Sequence, residues 1–179
     1  MARIVEVKER LEKSYYDTFL HEAGAPFVHA EQRLFEGSSR GHPELSNMGG
    51  NGGQLPGNQA MSVTRVNFMI ESTDAECFRR LLLDTHVTLT IGCKECWGLH
   101  PRDLAAGAYD SLARGGRTFV GGHDLARPLA ICARQQFSLE LQFSQETVRR
   151  LQKYSSVYLS SYHSKIAVTL SGILTRDAL

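Results

Sequence analysis

Cysteine is scarce in this chain: Cys77, Cys93, Cys96 and Cys132 are the only four in 179 residues. That is too few to staple a chain of this length, so a hydrophobic core has to hold the fold, and free thiols in a reducing compartment are the default. Charge of one sign is also missing. Lys and Arg total 20 against 19 Asp and Glu, for a net charge of +1. This balance excludes a strongly basic nucleic-acid module and an acidic disordered tail, so direct nucleic-acid binding is not expected. Long apolar runs are absent, and none approaches the ~18 residues that a spanning helix requires. The first ten residues are charged from Arg3 onward and lack the apolar stretch of a secretory signal, so synthesis in a cytoplasm is expected.

The composition that is present suits one globular domain, with 42% hydrophobic and 22% charged residues. Arginine outnumbers lysine by 15 to 5. Its planar, bidentate contacts fit interfaces, although a compositional bias of the source would give the same count. The most informative stretch is residues 136–143. Phe137, Leu139, Leu141 and Phe143 alternate strictly with polar residues, which describes a strand with one apolar and one polar face. Val87, Leu89 and Ile91 repeat the pattern, as do Ile166, Val168 and Leu170. Residues 62–70 read as a further strand, with Val66, Phe68 and Ile70 on one face. Residues 93–99 extend the strand that ends near Ile91, and residues 129–132 and 157–162 read as short strands.

Helices are expected at three places. Asp74 is positioned to cap residues 75–83, and Ser144 to cap a helix running to Tyr154. Residues 4–20 read as an amphipathic helix, because Ile4, Val7, Leu11, Tyr15 and Phe19 recur at three- and four-residue steps. Its stripe has to dock, either on its own body or on a neighbouring chain. Residues 26–35 suggest a first strand. Residues 36–60 carry seven of the chain's 16 glycines and read as a long loop lying extended over the sheet or a neighbour. Residues 102–125 look like a second excursion. The resulting division is an arm (1–25), a strand and glycine-rich loop (26–60), and a body (61–179), with 26–179 as one domain. Five to eight strands with short helices between them favour a mainly β fold, an antiparallel β-sandwich of jelly-roll-like kind, over a parallel sheet.

Chemical signatures are thin. Cys93, Cys96 and His100 could ligate a tetrahedral zinc. A closed site needs a fourth ligand, which Cys77, Cys132, His86 or His123 would have to supply, and no second knuckle is present. Thiols packed as small hydrophobes are the plainer reading. The sequence Gly37-Ser-Ser-Arg-Gly41 matches the Gly-x-Ser-x-Gly elbow around Ser39, but Pro43 and a glycine run follow where a helix is required. The glycine-rich loop is followed by a strand, which rules out the common nucleotide cradles. Arg79–Arg80 and Arg149–Arg150 sit on short helices and read as solvated faces or intersubunit pairs. No catalytic residue is therefore assigned and no cofactor is expected, zinc apart.

Two segments carry a resemblance. Leu45-Ser-Asn-Met with the glycines after it, then Gly53-Gln-Leu-Pro-Gly-Asn-Gln59 and the strand beyond, resembles the N-terminal part of single jelly-roll virion proteins of tailless icosahedral bacteriophages. The stretch Ile166-Ala-Val-Thr-Leu-Ser-Gly-Ile-Leu-Thr-Arg176 is similar to their closing strand. The resemblance runs from Leu45 to the end and does not include Cys93 and Cys96 or residues 4–20. It implies a structural capsid protein, not an enzyme, which assembles from many copies of itself with other virion proteins and resides in the virion. If such a shell encloses a membrane, the N-terminal arm is the segment that would touch it. The competing expectation is a small β-sandwich binding module or enzyme with a metal or thiol site near Cys93–His100.

Overall fold

The computed structural model describes residues 8–25, 28–36, 45–48, 52–103, 115–155 and 162–177. In chain order the strands are β1 (Lys8–Glu22), β2 (Glu31–Leu34), β3 (Gln59–Ser72), β4 (His86–Ile91), β5 (Lys94–Leu99), β6 (Thr118–Ile131), β7 (Phe137–Gln142) and β8 (His163–Asp177). Helix α1 (Ala75–Asp84) joins β3 to β4, and helix α2 (Gln145–Ser155) lies between β7 and β8. A 3-10 turn, Pro101–Asp103, follows β5.

All pairings are antiparallel, and they follow a rule. β1 pairs with β8, β2 with β7, β3 with β6, and β4 with β5. This is an eight-strand ribbon folded back on itself. Alternate rungs fall into alternate sheets, sheet A in the order β1-β8-β3-β6 and sheet B in the order β2-β7-β4-β5. The two sheets face each other as a jelly-roll-like sandwich.

The alternation seen in the sequence is the core. Phe137, Leu139 and Leu141 on β7 are buried, as are Val87, Leu89 and Ile91 on β4. Leu139 stands between Leu34 and Leu89 in register. From sheet A, Val66, Phe68, Ile70, Ile166, Val168 and Leu170 meet them. Ring contacts bridge the layers: Phe19 lies 5.2 Å from Phe143 and Phe68 lies 6.3 Å from Trp97. The interior between the sheets is thus filled with apolar side chains. The opposite residues of β7, Ser138, Glu140 and Gln142, form the outer face of sheet B, where Arg33 reaches Glu140 at 3.6 Å.

Both capped helices form where expected. Asp74 accepts from the Cys77 amide at 2.7 Å, and Ser144 accepts from the Thr147 amide at 3.1 Å. On α1, Cys77, Phe78, Leu81 and Leu82 form the buried face.

The expected N-terminal helix is a strand over all of its described residues. Lys8–Glu22 pairs with β8 from end to end. Residues four apart share a face in a strand as well as in a helix, so Leu11, Tyr15 and Phe19 satisfy both periods. Lys13 and Asp17 on the same face hid the alternation, and a fifteen-residue partner in β8 decided the outcome. Residues 93–99 do not prolong β4 either. Gly92, with φ +65°, turns the chain, and β5 returns beside β4. Of the excursion expected at residues 102–125, residues 104–114 lie outside the described residues, and from Thr118 the chain is strand β6, which takes in 129–131 and ends at Ile131. The expected strand at 157–162 lies outside the described residues except for Tyr162, which precedes β8. Of the glycine-rich loop, residues 37–44 and 49–51 lie outside the described residues, and residues 53–55 run beside the segment that leads into β7. Gly53 receives the Phe137 amide at 2.7 Å, Gln54 bridges Gln136, and Leu55 is buried.

Candidate functional site

The three residues considered for zinc do not converge. Cys93 occupies the β4–β5 turn and is exposed. Cys96 is the extra residue of a bulge, since Leu89 pairs with Trp97 and Thr90 with Glu95, and it is exposed too. His100 lies beyond the far end of β5, so strand rise alone separates it from Cys93 by roughly 20 Å. Its Nδ1 donates to the Thr85 carbonyl at 2.9 Å, and its ring rests 4.8 Å from that of His86. Among the described residues, no group of three or more His, Cys, Asp and Glu is placed to hold a metal ion. Ser39 lies outside the described residues.

The arginine pairs are engaged within the chain. Arg79 and Arg80 bind Glu76 at 2.7 and 3.0 Å, and Arg80 also binds Asp84 at 3.0 Å. Arg149 reaches Glu146 at 3.7 Å. Arg150 meets Asp74 at 3.0 Å, within a cluster that joins the two helices.

In that cluster Asp74 caps α1, receives two nitrogens of Arg150, and accepts the Tyr154 hydroxyl at 2.7 Å. The Tyr154 ring stacks on Tyr162 at 3.9 Å. The Tyr162 hydroxyl reaches Cys77 Sγ at 3.6 Å and Ser164 Oγ at 2.9 Å, and Ser164 bonds Ser72 at 2.7 Å. Partial burial pushes the Asp74 carboxyl up. The hydrogen bonds from Arg150, the Cys77 amide and Tyr154 outweigh it and hold the group well below the usual range. Burial pushes the Cys77 thiol up to about 11 and raises Tyr162 as well. These are groups set for cohesion: an ionised acid fully partnered, and a thiol kept neutral. Nearby, His21 is buried, donates Nε2–H to the Leu151 carbonyl at 3.0 Å, and is lowered by that burial.

A second polar feature crosses the outer face of sheet A. Arg65 bonds both oxygens of Asp124 through Nη1 at 2.7 and 2.8 Å, and Asn67 Oδ1 through Nε at 2.7 Å. Asn67 donates to Ser171 Oγ at 3.3 Å, and Ser171 bonds Ser14 at 2.9 Å. The chain of bonds touches all four strands and borders a shallow trough of about 370 Å³. Sequence reading finds neither cluster, because partners such as Asp74 with Arg150, or Arg65 with Asp124, stand far apart in the chain. Only the Asp74 cap carried a local signal.

The groups described hold the sandwich together and pattern its outside. No family model matches the chain, and no curated protein matches it. Among solved structures, it is similar to a decameric BFDV capsid protein. The identity is 7%, the match covers 96% of this chain and 100% of that one, and the TM-score is 0.33.

Proposed function

We propose that this chain is a structural virion protein that self-assembles into a shell, of the single jelly-roll kind found in tailless icosahedral bacteriophages. The observation that carries the reading is the folded ribbon of strands with an apolar filling. The sheets are closed on each other, so the faces, edges and ends are the surfaces available for work, and these are what a lattice protein uses. The resemblance of residues 45–59 and 166–176 to such virion proteins supports the same reading. Each copy meets other copies, with further virion proteins as neighbours, in the virion. The N-terminal segment serves differently from a free helical arm: residues 8–22 complete sheet A of their own chain.

The test is the assembly state of the purified chain. Light scattering coupled to size exclusion, followed by electron microscopy, should show large oligomers or closed particles as concentration rises. A strict monomer at every concentration counts against the reading.

A further inference from the structure

Sheet A turns one face outward, and its register sorts that face into rows. Val168, Phe68, Ile70 and Phe119 point into the core, so their neighbours point out. One outward row is Thr18, Ala167, Met69 and Val120, and the next contains Thr169, Asn67 and Gly122. Neither row holds a charged residue. Val120 is 72% exposed, the most exposed large hydrophobic among the described residues, while Thr18 closes the row on β1 as a buried position.

Charges stand on both sides of these two rows. Beyond the first are Lys165 and Glu71, and beyond the second are Arg65 and Asp124. Arg65 is ion-paired with Asp124, and Glu71 holds the His163 ring at 3.2 Å through Oε1. An uncharged centre between charged margins is the anatomy of a protein interface. The margins are also complementary under rotation. A two-fold axis lying between the two uncharged rows, parallel to them, keeps each strand above itself and exchanges the margins. Glu71 of one copy then stands over Arg65 of the other, and the pair is made twice. Arg65 uses Nη1 on Asp124 and Nε on Asn67, which leaves Nη2 as a donor for a second carboxylate.

We infer that the outer face of sheet A is a self-pairing surface, on which a second copy of this chain packs face to face about that two-fold axis. The inference rests on the self-assembly reading and names one contact of the assembly.

Sedimentation of the full chain over a concentration series tests it, with a thermal melt of each variant as the folding control. The parent should form an even-numbered species. Val120→Asp replaces an exposed side chain, so it should fold like the parent and weaken pairing at least tenfold. Glu71→Arg should weaken pairing similarly, and adding Arg65→Glu should restore it. Pairing unchanged in Val120→Asp, or not restored by the double swap when that variant melts like the parent, overturns the inference. Particles that form normally from Val120→Asp with pairing intact overturn it and leave the shell reading standing. A parent that stays monomeric overturns both.

Discussion

Single residues in this protein act mainly through what they exclude or neutralise. Cys77 is buried beneath Tyr162 with its thiol pushed up to about 11, whereas Cys93, Cys96 and Cys132 are exposed. Thiolate is the reactive form, so a native sample at pH 8 should titrate three thiols with a disulfide reagent, and the fourth only after denaturation. Asp74 bears on acid stability. Its folded-state pKa is depressed below the unfolded value, so its contribution is present above about pH 4 and is lost as pH falls through the lower, folded value. Urea midpoints should place Asp74→Asn about 1–3 kcal/mol below the parent at pH 7, because Arg150 and Tyr154 lose a charged acceptor. The gap should narrow in strong acid. Gly172 answers to space: a Cβ there would collide with the Ser62 carbonyl, opposite the bulge between Val63 and Arg65. Gly172→Ala should lower the melting temperature, even though alanine suits a strand better than glycine elsewhere.

At the scale of elements, period-two alternation was the dependable signal. β7 shows both sides of it. Leu139 is fully buried, so Leu139→Asp places an unpaired charge in the core and should abolish the cooperative melt followed by circular dichroism. Glu140 lies on the outer face beside Arg33, so Glu140→Ala should shift the melt by less than about 1 kcal/mol. β1 shows where local reading fails. Its apolar residues at four-residue steps fit a helix and a strand equally, and propensity cannot arbitrate when β8 offers a partner along the whole length. The same limit applies at residues 93–99. A strand and its hairpin return have one pattern, and only Gly92 marks the reversal.

The whole molecule depends on pairings between distant segments. β1 and β8 lie at opposite ends of the described chain, and together with β3 they make the long walls of sheet A. A core built from such contacts should fold slowly for its size, on the scale of milliseconds to seconds in stopped-flow refolding of the unassembled chain. The sequence by itself determined that a sandwich core exists, which residues of β3, β4, β7 and β8 fill it, and where two helices are capped, because alternation and capping are local patterns. The tertiary structure decided that residues 8–22 are a strand and that Cys93 and His100 stand at opposite ends of β5. It also decided that Asp74 meets Arg150, and that Glu71 and Arg65 flank one uncharged face. Those outcomes depend on which strand lies beside which, and pairing partners far apart in the chain leave no mark on either segment alone.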